Sequence, residues 1–379
     1  MSGIYLDYNA SGLVRPEVQD VMARALADNG NPSAVHAAGR RARARVETAR
    51  AQVADLVGAD ATAVIFSSGG TESNAQAILS ALAAGCERLI VSATEHPCVS
   101  EAAVASGKPV KMLPVDARGV VDLNKLRQLL ERPGKAVVAI HHANNESGVI
   151  QPIAEAARLV RAAGGWLHVD AIQSAGKIPV DIRTLKADSL TLSAHKLGGP
   201  QGVGALVMGE AREAIRIVHG AGQERGLRAG TENVPGITGF GASAVCAARD
   251  LSEAMAHGVW RDAAEVAVKA AGATIIGEGA ERLPNTLFMA VPDWDSPQQL
   301  ITLDLMGLMV SAGSACSSGK IKPSRAILAT GRTSLATGGI RISGGWGTVE
   351  EDWKRFAEAW PVAYAKHRER TAARAKEVA

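Results

Sequence analysis

Asp170 closes the apolar run Trp166-Leu167-His168-Val169, and Lys196 follows a second apolar run that ends at Leu192-Ser193-Ala194. A buried carboxylate is expensive unless a cation compensates it, and a buried ammonium is expensive unless it is paired or reactive. Together they suit pyridoxal phosphate, which takes an acid on its pyridinium nitrogen and an amine on its aldehyde. Each also has a plainer reading: Asp170 as a helix cap, Lys196 as a surface lysine in a turn.

Other chemistry-bearing residues fall at comparable positions. Ser67-Ser68-Gly69-Gly70-Thr71-Glu72 follows one apolar run and opens a helix, where small residues let backbone amides approach a phosphate and Thr71 adds a hydroxyl. Ser193 and His195 fall at a neighbouring strand end. His96, in Thr94-Glu95-His96-Pro97, follows a third run; its imidazole could stack on a cofactor ring and shuttle protons, or be structural. Asn144-Asn145-Glu146 follows a fourth, with amides able to bond a phenolic oxygen or a substrate carboxylate. Arg341, on the apolar pattern Gly339-Ile340-Arg341-Ile342-Ser343, needs an anion: a substrate carboxylate held bidentately, or an internal salt bridge. Cys316 lies in the small-residue run 311–319, which has little bulk to bury a thiol, and so reads as a nucleophile.

The elements that must position these groups are short Val/Ile-rich runs alternating with amphipathic stretches. Strands are predicted at Val64–Phe66, Arg88–Ser92, Val137–His141, Leu167–Asp170, Ser189–Ser193 and Val203–Met208. Such alternation predicts βα units and a mostly parallel sheet, with ligands at the carboxyl ends of its strands. Helices are predicted at Pro16–Ala27 and about Arg40–Val57, the latter with Arg40, Arg41, Arg43, Arg45 and Arg50 read as a solvated face. Near Ala256–Gly258 the rhythm changes. Strands follow around Ala273–Ile276 and Asn285–Val291, then a helix opened by a capping box at Thr348-Val349-Glu350-Glu351 and anchored by Trp353, Phe356 and Trp360. The tail 366–379 reads as a fraying helix or disordered.

With 379 residues, 47% apolar and only 3% aromatic, the chain has material for a large aliphatic core. Forty-one basic against 38 acidic residues, a formal +3, give no field for nucleic acid or an anionic membrane. No leader pattern and no long apolar window occur, so a soluble, cytoplasmic protein is expected. Cys86, Cys98 and Cys246 read as small hydrophobes, and no metal site is expected from their spacing.

Taken together these segments resemble the group I cysteine desulfurases of the NifS/IscS type, within the class V aminotransferase family of pyridoxal-phosphate enzymes. The likeness runs through Tyr5-Leu6-Asp7-Tyr8-Asn9-Ala10, Asn31-Pro32-Ser33-Ala34-Val35-His36, Ser68-Gly69-Gly70-Thr71-Glu72-Ser73-Asn74, His142-Ala143-Asn144-Asn145-Glu146, His168-Val169-Asp170 with Gln173, Ser193-Ala194-His195-Lys196, the stretch Gln223 to Thr231, and the Cys316 loop. It covers nearly the whole chain in order. The resemblance implies an α/β fold of type I: a large domain over 13–256, its mostly parallel mixed sheet flanked by helices, and a smaller α+β domain from 1–12 and 257–379. It implies that Lys196 bonds the cofactor, Asp170 holds the pyridine nitrogen and His96 stacks on the ring. Gln173 and Asn145 would bond the phenolic oxygen; Gly70, Thr71, Ser193 and His195 the phosphate, joined by Thr231 from the other subunit of a homodimer. Arg341, with Asn145, would hold the carboxylate of L-cysteine, and Cys316 would take its sulfur as a persulfide for an acceptor protein of an iron-sulfur or thiolation pathway. The chain departs from the family at Ser11-Gly12, where two threonines are usual, in the glycine-rich stretch 329–339, and at Gly344, where a leucine is typical.

Overall fold

A computed structural model describes residues 3–28, 30–210, 212–313 and 323–378, with side chains as far as residue 373. The strands in chain order are β1 (Ile4–Tyr5), β2 (Val64–Ser67), β3 (Arg88–Ser92), β4 (Val110–Leu113), β5 (Ala136–His141), β6 (Trp166–Asp170), β7 (Ser189–Ser193), β8 (Gly204–Met208), β9 (Thr274–Ile275), β10 (Thr286–Ala290), β11 (Leu308–Met309), β12 (Ser311–Ala312) and β13 (Gly339–Ser343). Seven of them form one sheet in the order β2-β8-β7-β6-β5-β3-β4. All neighbours in it are parallel except those of β8, which runs antiparallel to both β2 and β7.

Both faces of this sheet are covered, which is why its central strands are apolar without alternation. Along β5, Val138 and Ile140 pack with the helices Ala37–Leu56, Leu123–Leu130, Ile153–Ala162 and Val234–Arg249, while Val137 and Ala139 pack with Gly70–Ala83 and Pro97–Ala105. A second core gathers around the antiparallel sheet β12-β13-β10-β9 and the helix Glu350–Val378, whose Trp353, Phe356 and Trp360 are all buried. The N-terminal segment joins this second core: β1 pairs with β11, and Leu6 is buried there. One helix, Leu251–Ala270, runs without a break through residues 256 and 257. Among the described residues no helix is long and apolar enough to cross a membrane.

Two local readings are corrected, and one strand went unread. Arg50 is not on a solvated face: it is buried, and its guanidinium meets Glu224 through two contacts of 2.7 and 2.8 Å. It stands four residues after Val46 and three before Val53, so it belongs to the apolar stripe of its helix. The capping box at Thr348 does not form: the Thr348 hydroxyl accepts the N–H of Gly345 rather than that of Glu351, and Asp352 accepts the N–H of Val349. The edge strand β4 escaped notice because Lys111 interrupts its short apolar run; Lys111 and Met112 are both exposed, as an edge allows.

Candidate active site

Because four successive neighbours of the large sheet are parallel, the carboxyl ends of β3, β5, β6 and β7 emerge on one edge, and the helix after β2 starts beside them. A cavity of about 270 Å3 opens there. Gly70 and Thr71 come from the start of the helix after β2, His96 from beyond β3, Asn145 from beyond β5, Asp170 and Gln173 from the end of β6, Ser193, His195 and Lys196 from the end of β7, and Arg341 from β13 of the second sheet. Thr231 lines neither this cavity nor the hollow next to it; it sits on a separate surface depression with Arg228 and Glu232. Cys316 lies outside the described residues, while Gly313, three positions earlier, lines the cavity.

One wall of the cavity is built for an anion. Ser68, Gly69, Gly70, Thr71, Ser193 and His195 surround an adjoining hollow of about 300 Å3, to which Gln201 and Gly202 contribute from the turn before β8. The helix Gly70–Ala83 starts there with no side-chain cap, so its first amides face the hollow free of a competing acceptor. Gly69 has a φ of +156°, and a Cβ on Gly204 would come within 2.5 Å of the Gly69 backbone, so glycine at both positions lets the turn lie flush on β8. Burial, together with Lys196 and Lys177, pulls His195 down to about 4, so at neutral pH it meets an anion as a neutral hydrogen-bonding ring.

The same cavity also holds the acid. Asp170 is buried; Oδ1 accepts the N–H of Ile172 at 2.9 Å and Oδ2 accepts from Asn74 Nδ2 at 2.9 Å. Asn74 is in turn held by His168, 2.8 Å from Nε2 to Oδ1, and His168 Nδ1 lies 2.9 Å from Ser189 Oγ. Burial holds His168 at about 4, so this chain of contacts is uncharged. Burial and then the nearby Glu95 raise the pKa of Asp170, as befits a carboxylate lacking the cation it needs. A protonated pyridine nitrogen would supply one, and a phosphate would fit the uncapped helix start; the donor set therefore suits pyridoxal phosphate.

Lys196 Nζ donates to the backbone oxygens of Asn9 and Ala10, 2.6 Å each, so the N-terminal segment forms part of the site. Arg341 takes up both of its sequence readings. Its Nη2 is 2.6 Å from Asp7 Oδ1 and its Nη1 donates to Asn145 O at 2.9 Å, while Nε is buried without a partner among the described residues. Its side chain thus combines an internal ion pair with an unused donor. Cys98 is not a bland core thiol: its Sγ is 3.0 Å from His96 Nδ1 and 3.2 Å from Asn74 Nδ2, on the cavity wall. Glu146 is buried and its carboxyl pKa is raised by that burial; it accepts from Ser324, just beyond the Cys316 segment. Sequence reasoning assigned no role to Asn9, Asp7, Asn74, His168, Glu95, Cys98 or Gln201. Asn9, Asp7 and Asn74 stood inside recognised motifs, but only tertiary contacts show what they hold.

Comparison with known proteins places this arrangement. The family model of class-V aminotransferases matches residues 4–356. The chain belongs to the aminotransferase class-V family. It is 39% identical over 340 residues to a cysteine desulfurase of Trichormus azollae, covering 87% of this chain and 85% of the relative. A solved NifS-like protein superposes with a TM-score of 0.88 at 34% identity, over 96% of this chain and 99% of the other. A structure described as SspA in complex with cysteine superposes with a TM-score of 0.77 at 29% identity, over 89% and 98%.

Proposed function

We propose that this chain is a pyridoxal-phosphate-dependent cysteine desulfurase that converts L-cysteine to L-alanine and retains the sulfur as a persulfide on Cys316. The observation that carries the reading is the single cavity where an amine, a cation-seeking buried carboxylate and an uncapped helix start converge: Lys196, Asp170 and Gly70. The class-V family and the cysteine desulfurase relatives support it, and SspA, a structural neighbour, binds cysteine. When bound, the cofactor supplies an aldehyde that captures an amine and a ring that accepts the electron pair of a broken bond.

The residues divide the remaining work. Lys196 would hold the cofactor and then, as the amine released when the substrate takes its place, move the Cα proton. Asp170 would keep the ring nitrogen protonated, with Asn74 fixing the carboxylate. Gly70, Thr71, Ser193 and His195 would bind the phosphate, His96 would stack on the ring, and Gln173 and Asn145 would bond its phenolic oxygen. Arg341 would offer Nε and one Nη to the substrate carboxylate. Cys316 stands three residues past Gly313, at most about 11 Å of extended chain from the cavity rim, close enough to receive the substrate sulfur. The S–Cβ bond of the substrate breaks as the S–S bond to Cys316 forms.

A homodimer is part of the proposal, with Thr231 completing the phosphate site of the partner subunit; so are a large domain at 13–256, a small domain from 1–12 and 257–379, a cytoplasmic setting and a protein sulfur acceptor. The test is release of alanine and sulfide from L-cysteine with dithiothreitol as the two-electron reductant that frees sulfide from the persulfide, and a thiol-labelling assay for the persulfide without it. Wild type should yield both products in equal amounts, and Cys316→Ser should yield neither above a few per cent. Undiminished alanine release by Cys316→Ser would refute the assignment.

A further inference from the structure

Lys177 is a second lysine beside the site that the proposed chemistry leaves unused. It is buried, and its Nζ donates to Gln173 Oε1 and Asn9 Oδ1 at 2.8 Å each. Both acceptors are neutral amides, and among the described residues no carboxylate lies within ion-pair distance of this nitrogen. An ammonium so placed is costly, and an apolar side chain of similar volume would pack there at lower cost. Burial, then Lys196, then Arg341 hold its pKa well below that of a free lysine.

The contacts show what the cost secures. Lys177 Nζ donates to Oε1, so the oxygen of the Gln173 amide faces Lys177 and its nitrogen faces away. That nitrogen donates to Asn9 O at 2.9 Å, and Gln173 lines the cavity. One of its two N–H groups is thereby used and the other is left for a cavity ligand. Asn9 is the common anchor: Lys177 bonds its side-chain oxygen and Lys196 its backbone oxygen, while Asn9 Nδ2 donates to Thr286 Oγ1 at 2.9 Å in the small sheet.

We infer that Lys177 is a positioning residue that locks the Gln173 amide with its N–H toward the phenolic oxygen of the cofactor and keeps a buried donor beside Lys196. This rests on the cofactor reading above. A donor on the phenolic oxygen disfavours an extra proton on the nitrogen that Lys196 contributes to the loaded enzyme, whether Lys177 itself is charged or neutral. Other charges face the pair as well. On the cofactor side these are Asp170, His96, His141, His195 and Arg341 with its Asp7; across the cavity behind, they are Tyr8, Arg15, Asp250, Glu253 and His257. None of these groups bonds Lys177, whose side-chain contacts are Asn9 and Gln173, so they form a common background for the comparison between variants.

The experiment is a pH titration of the visible absorbance of the cofactor-loaded enzyme, alongside thermal melting, for wild type, Lys177→Met, Gln173→Leu and the double variant. Lys177→Met should raise the midpoint by about one pH unit, a tenfold change in proton affinity. Gln173→Leu should shift it the same way, and the double variant should shift by less than the sum, because one residue acts partly through the other. A lowered melting temperature with an unmoved midpoint would make Lys177 merely structural and overturn the inference. Should Lys177→Met fail to fold, an unmoved midpoint in Gln173→Leu overturns it equally. A wild type that gains no visible absorbance with pyridoxal phosphate would instead overturn the cofactor reading on which the inference stands.

Discussion

Replacing Asp170 by Asn tests the electrostatic half of the site without emptying it. The Asn oxygen can still accept the Ile172 N–H that Asp170 accepts at 2.9 Å. Its amide would then face Asn74 Nδ2, donor against donor, at the second 2.9 Å contact. A flip of Asn74 with a tautomer change at His168 relieves this, since Ser189 Oγ can accept from His168 Nδ1. The fold should therefore survive while the charge is lost. Opposite charges in contact at about 2.8 Å attract by about 6 kcal/mol at an effective dielectric of about 20. Desolvation of the carboxylate, already visible as its raised pKa, offsets part of that. About 3 kcal/mol remains, or two decades in rate. The assay is alanine formation at saturating L-cysteine and cofactor, with thermal melting as control. A well-folded Asp170→Asn enzyme within threefold of wild type would refute the assignment of this carboxylate to the ring nitrogen.

Two further outcomes follow from buried charges. Arg50→Met should destabilise the chain by about 3–5 kcal/mol in chemical denaturation, because Glu224 is left buried without its cation, and adding Glu224→Gln should recover much of the loss; a single variant within about 1 kcal/mol of wild type would contradict this. Burial holds His142, His168, His195 and His257 at about 4, whereas unfolded histidine takes its proton near 6.5. The unfolded chain therefore binds more protons in this window, and the stability these residues contribute, complete above pH 6.5, is lost as the pH falls toward 4. Asp170 and Glu146, whose pKa values are raised, act in the opposite sense and offset part of it. The urea midpoint of the cofactor-free chain should be lower at pH 5 than at pH 7, and an equal or higher midpoint would show that these imidazoles are not buried as described.

The large sheet was legible because doubly covered parallel strands must be apolar throughout, and β3 and β7 appear in the sequence at their observed limits. The cavity was legible for the same reason: a parallel sheet collects its carboxyl ends on one edge, so residues just past each apolar run had to meet. What escaped detection was set by contacts distant in the chain. Asn9 looked like one residue of a motif, yet it binds Lys177, Lys196, Gln173 and Thr286 together. Asn74 sits mid-helix and shows its purpose only through Asp170 and His168. Arg50 could have been found from its helical spacing alone, had the arginine run not been read as one face. The ion pair of Arg341 with Asp7 needs the N-terminal segment to lie along β13, where Asp7 pairs with Ser343, and no local pattern announces it.

The most direct test of the central claim is borohydride reduction of the protein incubated with pyridoxal phosphate, followed by peptide mapping. The account predicts one stable adduct per chain, on Lys196, lost in Lys196→Ala and still formed in Lys177→Met. An adduct on Lys177, or none with the chain folded, would contradict it.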